Sequence, residues 1–160
     1  MSHTFATPQT DRFFEDYTIG ATYHCGSVTV TQDEIIAFAR HYDPQAMHVD
    51  PELAAEGPFG EIIASGWHTI GLTMRLFVGS FLPFNGLAAP GIQEILWPCP
   101  VRPGDTLSVT TTVVDARRSR SKPDRGLLHL LIETRNQHGE VVLSIKPMNF
   151  VRTRNPEPAA

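Results

Sequence analysis

The sequence predicts an α+β domain in which one long apolar helix packs on an antiparallel sheet. Two observations point there. Residues Gly66 to Leu82 place Trp67, Ile70, Leu72, Met74, Leu76, Phe77, Val78, Phe81 and Leu82 around most of a helical wheel, the pattern of a helix buried on nearly all sides. Five further segments read as strands, one before this helix and four after it, which is the order of a helix laid on a meandering sheet. At 160 residues the chain is of single-domain length and long enough to bury a substantial core without disulfide or metal staples.

Taken in order, the N-terminal residues 1–11 and the C-terminal residues 154–160 are polar or Pro-containing and are expected as loose tails around one domain, 12–153. Thr22 to Val30 is rich in β-branched residues and follows the turn signal Thr18-Ile19-Gly20, so it predicts the first strand. Thr31-Gln32-Asp33-Glu34 has the form of a capping box, and Ile35, Phe38 and Ala39 share one face of the helix it opens. Pro44 disfavours helix at Asp43 and ends that helix near Tyr42. Pro51 to Glu56 predicts a short helical turn with Pro in its first position, stopped by Gly57-Pro58. After the long helix come strands over Gly91 to Trp97, Thr106 to Val114, Leu127 to Asn136 and Val141 to Val151. Leu107, Val109, Thr111 and Val113 alternate with Ser108, Thr110 and Thr112, as a half-buried strand requires. Pro103-Gly104 predicts a tight turn and Gln137-His138-Gly139-Glu140 a hairpin loop. Pro147 lacks an amide donor, so an edge position or a bulge is expected there.

Composition narrows the function classes. The formal net charge is −4, with 41% hydrophobic and 19% charged residues, which excludes a disordered chain and argues against a nucleic-acid binder that works through overall charge. The longest apolar stretch contains His68, Arg75 and several hydroxyls, so no membrane span is expected. Cys25 and Cys99 form no CxxC pair, and His24, His41, His129 and His138 are scattered without ligand spacing, so no metal site is predicted. The start MSHTFATPQT lacks a basic and an apolar region, and a cytoplasmic location is the expectation.

The residues that could carry chemistry lie just after the first helix. Asp43 and His48 flank a loop bent by Pro44. If the fold brings them together, carboxylate and imidazole could hold one water between them, with His titrating near neutral pH. On spacing alone the alternative stands that Asp43 caps a turn and His48 is an ordinary surface histidine.

Asp43-Pro44-Gln45-Ala46-Met47-His48-Val49-Asp50, followed by Phe59-Gly60 and Ile63-Ala64-Ser65-Gly66, resembles the signature of the MaoC-like dehydratases, which include the (R)-specific enoyl-CoA hydratases. The resemblance runs from about Phe14-Glu15-Asp16-Tyr17 through Val101-Arg102-Pro103-Gly104-Asp105-Thr106 to Asn136-Gln137-His138-Gly139-Glu140. It implies a hotdog fold, a long central helix wrapped by a curved antiparallel sheet. It also implies that Asp43 and His48 activate the water that adds to C3 of a 2-enoyl thioester, while the Gly66 amide at the helix start polarises the thioester carbonyl. Ser65, Trp67 and His68, around the start of that helix, are candidate substrate-binding residues, with a core or interface histidine as the alternative for His68; Gln45 is a candidate for substrate binding or for bracing the loop. Trp67, Met74, Phe77 and Phe81 are otherwise core, some bordering an acyl channel. The resemblance implies no metal or redox cofactor, coenzyme A arriving as part of the acyl-CoA substrate, and a homodimer with the substrate tunnel between subunits.

The chain departs from the best-known hydratase motif, carrying Gln45 where that motif has Asn and Ala46 where it has Pro. This matches a branch of the family with less uniform substrates. Two other functions remain open from sequence: a hotdog acyl-CoA thioesterase, and a non-catalytic acyl-binding or structural subunit. The one basic run, Arg117 to Gly126, is expected as a solvated hairpin, with contact to coenzyme A phosphates as the alternative.

Overall fold

The computed structural model describes residues 2–156 of the chain. Five strands form one antiparallel sheet: β1 (Thr22–Thr29), β2 (Gly91–Leu96), β3 (Thr106–Arg118), β4 (Arg125–Arg135) and β5 (Val141–Arg152). They lie in the order β1-β3-β4-β5-β2. The helices are α1 (Gln32–Tyr42), α2 (Ala46–Val49), α3 (Pro51–Glu56) and α4 (Gly66–Ser80). All five expected strands and the three expected helices are present, and α4 is the long helix. No helix among the described residues is long and apolar enough to cross a membrane.

Local chemistry explains the boundaries. Thr31 caps α1, accepting from the Glu34 amide while the Glu34 carboxylate accepts from the Thr31 amide, so two otherwise orphaned donors are satisfied. Asp50 does the same for α3, accepting from Glu52 and Leu53 amides, with Pro51 in the first helical position. Gly104 sits at φ 87° and donates to the Val30 carbonyl, which confirms the Pro103-Gly104 turn. Two strands run further than the sequence predicts, β3 to Arg118 and β4 from Arg125. The Arg117 to Gly126 run therefore closes a β-hairpin, stabilised by Arg118–Glu15 and Arg125–Asp124 pairs. Pro147 is not on an edge, since β5 pairs with both β4 and β2. It faces Ile92 beside a register shift in β2, which is how the sheet accommodates its missing donor.

The core lies between α4 and the sheet. Phe77 and Phe81 meet Tyr17, Tyr23, Val109, Val113, Leu128, Leu130, Leu143 and Ile145. A second cluster joins Ile35 of α1, Ile62 and Leu72 to Leu107 and Val142. The expectation that α4 is buried all round is corrected. Its inner face is buried, but Trp67, Met74 and Val78 are exposed, so the apolar outer face is uncovered in one chain.

The N-terminal segment does not stay free of the fold. His3 bridges to Tyr23 on the outer side of β1, and Phe5 stacks on Tyr23 at 4.2 Å and meets Tyr17 and Phe81. A polar composition hid this because one aromatic ring anchors the segment. At the other terminus Arg154 pairs with Asp16 and Asn155 accepts from Arg118, while the rest of that expected tail, 157–160, lies outside the described residues.

Candidate active site

Asp43 is the residue at which α1 stops, and Pro44 turns the chain away from the helix axis. The turn is held by the Gln45 amide donating to the Asp43 carbonyl at 2.8 Å and the His48 amide donating to the Gln45 carbonyl at 2.9 Å. The loop expected after α1 thus contains one helical turn, α2, and that turn carries His48 back to within 3.5 Å of Asp43 (Nε2 to Oδ2). The pair anticipated from the sequence is therefore a spatial pair.

Hydrogen bonds fix both side chains. His48 is 4% exposed and its Nδ1 lies 2.7 Å from the Ile63 carbonyl. A carbonyl can only accept, so Nδ1 carries a proton, and Nε2 is the ring nitrogen that faces Asp43. Asp43 accepts from Gln45 Nε2 at 2.7 Å through Oδ1 and from Ser65 Oγ at 2.7 Å through Oδ2. These bonds, from Gln45 first and then Ser65, hold its carboxyl below the usual carboxylate range, with His48 adding a smaller effect. The carboxylate is thus ionised at neutral pH, next to an imidazole nitrogen that can take a proton.

Neither Ser65 nor His68 borders the cavity beside Gly66. Ser65 is fully buried. It caps α4 by accepting from the Trp67 amide while donating to Asp43, so one hydroxyl couples the helix start to the carboxylate. The His68 ring stacks on Phe38 of α1 at 4.8 Å. Its Nδ1 has no hydrogen-bond partner among the described residues, and burial pushes its pKa down.

Gly66 opens α4, and no hydrogen bond uses its amide among the described residues. Its lack of a side chain has a steric cause: a Cβ would lie 2.7 Å from Trp97 Nε1. The Trp97 indole packs on this glycine and donates to its carbonyl at 3.1 Å. Asp43, His48, Gly66, Gln45 and Trp67 all border one cavity of about 430 Å³. Sequence reading missed the rest of its wall. Met47, Phe59, Trp97, Cys99, Val101 and Val142 come from α2, from the Gly60 turn, from the segment after β2 and from β5. Trp97 and the Pro98-Cys99-Pro100 run following a strand were the available signal. Among the described residues no three His, Cys, Asp or Glu side chains cluster as metal ligands.

Residues 15–131 match the family described as MaoC like domain. The chain belongs to the MaoC-like dehydratase family. This MaoC-like domain is 34% identical, over 82% of its length and 97% of the relative's, to the uncharacterized protein YdeM of Bacillus subtilis. It is 39% identical to the 3-hydroxyacyl-thioester dehydratase Z of Mycobacterium tuberculosis, over 54% of this chain and 60% of that protein. With the mesaconyl-CoA hydratase of Cereibacter sphaeroides it shares 32% identity over 92% of its own length but 44% of the relative's, so the chain spans about half of those two proteins. Among solved structures, a MaoC-like dehydratase from Rhodospirillum rubrum superposes with a TM-score of 0.84 at 42% identity, covering 90% of this chain and 99% of that one. A Mycobacterium tuberculosis protein described as a double hotdog fold, at 18% identity, covers 96% of this chain and 48% of that one with a TM-score of 0.80. The helix-on-sheet architecture of the MaoC-like domain is thus the hotdog fold.

Proposed function

We propose that the MaoC-like domain is a hydro-lyase that adds water to a 2-enoyl-CoA thioester, or removes it from the 3-hydroxyacyl-CoA. The observation that carries this reading is the 3.5 Å gap between Asp43 Oδ2 and His48 Nε2, bordered by the same cavity as the Gly66 amide. Both facing atoms are acceptors when His48 is neutral, so the pair suits a water that donates one hydrogen to each.

Hydration then runs as follows. The water oxygen bonds to C3 as His48 Nε2 takes one of its protons, and Asp43 accepts the other hydrogen without being protonated. The C2=C3 electrons move onto the thioester, placing negative charge on its oxygen. The Gly66 N–H, at the positive end of α4, stabilises that charge. The proton held by His48 is returned to C2, which completes the 3-hydroxyacyl thioester. Dehydration is the reverse. Coenzyme A is part of the substrate, and the residues above supply each proton transfer themselves.

A homodimer accompanies this reading. The β1 edge is partly covered by the His3 bridge, whereas the β2 edge is unpaired and exposes Ile92 and Leu96. The outer face of α4 is also apolar and uncovered. A second copy laid along β2 would cover both features and extend the wall of the cavity near Trp97.

The test is incubation of the protein with a panel of enoyl-CoAs, following loss of the conjugated thioester and release of free thiol separately. Hydration without thiol release, abolished in Asp43→Asn, is the expected result. Thiol release would make the protein a thioesterase. No turnover on short, medium or branched chains would leave an acyl-binding subunit.

A further inference from the structure

The proteins that resemble this chain are named for acyl groups of two kinds. Dehydratase Z carries the general name 3-hydroxyacyl-thioester, whereas mesaconyl-CoA hydratase is named for an acyl group with a second, free carboxylate. The cavity separates these kinds by its charge. Its apolar wall is built from Met47, Phe59, Ile63, Trp97, Val101 and Val142, and among the described residues no Lys or Arg borders it. Among the described residues its titratable side chains are Asp43, His48 and Cys99. Arg102 follows Val101 in sequence but is turned into a separate cavity with Asp105 and Glu140, where Glu61 Oε1 and the Phe59 carbonyl hold its guanidinium. The segment from Leu76 to Gln93, which leads to the open β2 edge, carries no charged residue. A second copy along that edge would bring this uncharged segment with it.

We infer that the acyl group this site accepts is uncharged beyond its thioester, an aliphatic enoyl chain rather than the half-acid of a dicarboxylate. This rests on the hydration reading above. A carboxylate entering the cavity would leave water with no cation to receive it, and would approach the anionic Asp43. Both effects oppose binding, because an unpaired buried charge loses its hydration without recompense. An alkyl or alkenyl chain of the same size meets apolar side chains over most of the wall and gains from leaving water.

The test uses saturated four-carbon acyl-CoAs, so that it does not depend on turnover. Butyryl-CoA and succinyl-CoA are titrated against the full chain, by calorimetry or by the fluorescence of Trp67 and Trp97, which border the cavity. Butyryl-CoA is expected to bind at least about 10-fold more tightly. Met47→Lys and Cys99→Lys, two independent variants that each add a cation to the wall, are expected to narrow that ratio. Equal binding, or tighter binding of succinyl-CoA to the unaltered protein, overturns the inference. In a parallel arm crotonyl-CoA and mesaconyl-CoA are offered as substrates. Hydration of mesaconyl-CoA at a rate matching crotonyl-CoA overturns the inference while leaving the hydratase intact. Hydration of neither, with the binding preference preserved, removes the hydratase reading and leaves the preference for uncharged acyl groups standing.

Discussion

The two ends of α4 are built for opposite purposes. At its N-terminus the Gly66 amide is unused, Ser65 is shared between capping the helix and holding Asp43, and a cavity opens beside them. At its C-terminus the last carbonyls are taken up by side chains. Arg12 Nη1 donates to Ser80 and Phe81 at 2.6 and 2.8 Å. Gln9 donates to Val78 and Leu82, and the Tyr17 hydroxyl donates to Phe81 at 2.8 Å. The Arg12 guanidinium also lies 3.6 Å over the Phe5 ring. A helix end left with free N–H groups attracts developing negative charge. An end whose carbonyls are sealed by a buried cation contributes stability and no chemistry. The same helix thus supplies a reactive end and an anchored end.

Substitutions at the two ends should separate accordingly. The largest effects belong to the open end. Asp43→Asn and His48→Ala are each expected to lower kcat by ~10²–10⁴-fold with the melting temperature little changed, measured on the preferred enoyl-CoA. A comparable loss of stability would break the contrast. Arg12→Ala should do the reverse. Arg12 is 7% exposed and makes three hydrogen bonds to carbonyls, so its loss is expected to cost about 2–4 kcal/mol and to lower Tm by roughly 10 °C. Activity at 20 °C should survive.

Ser65→Ala joins both kinds of effect. It removes a helix cap, worth about 1 kcal/mol, and one of the two donors on Asp43, and kcat is expected to fall about 10-fold at unchanged KM. Denaturant melts and initial rates on the same preparation check the two parts together. The smallest effect is expected at His68, whose burial depresses its folded-state pKa. The unfolded chain then binds more protons than the folded one in the window from the ordinary histidine pKa, about 6.5, down to the depressed value. Stability from this group is complete above pH 6.5 and declines as pH falls through that window. In His68→Leu the slope of stability against pH between 7 and 5 should be shallower than in the natural sequence. An unchanged slope would show that other groups set it.

Where the sequence was legible, the physics was local. The α1 capping box, the Pro51 helix start, the Pro103-Gly104 turn and the alternation in β3 each depend on neighbours within four residues. Asp43 and His48 were not legible as a pair from spacing, which left a turn cap and a surface histidine open; the family resemblance joined them, and the α2 turn is what brings them within 3.5 Å. Gln45 was harder to place. Its amide serves Asp43, yet nothing in the spacing distinguishes that from a contact with substrate. A histidine at the start of a helix beside Gly66 could line the pocket or be a core or interface residue, and spacing did not separate the two. The helical period turns its ring towards Phe38 of α1. The uncovered face of α4 was invisible because periodicity reports which positions are apolar and not which are covered.

By itself the sequence determined the order of helices and strands, the Asp43–His48 loop and the glycine at the start of α4. These follow from backbone stereochemistry and short-range hydrogen bonding. Only the tertiary structure decided that Ser65 and Gln45 converge on one carboxylate, that the Ile63 carbonyl selects the His48 tautomer, and that Trp97 requires Gly66 to have no side chain. Those contacts join residues 2 to 31 positions apart. Their geometry exists only once α1, α4 and β2 have packed on a common core.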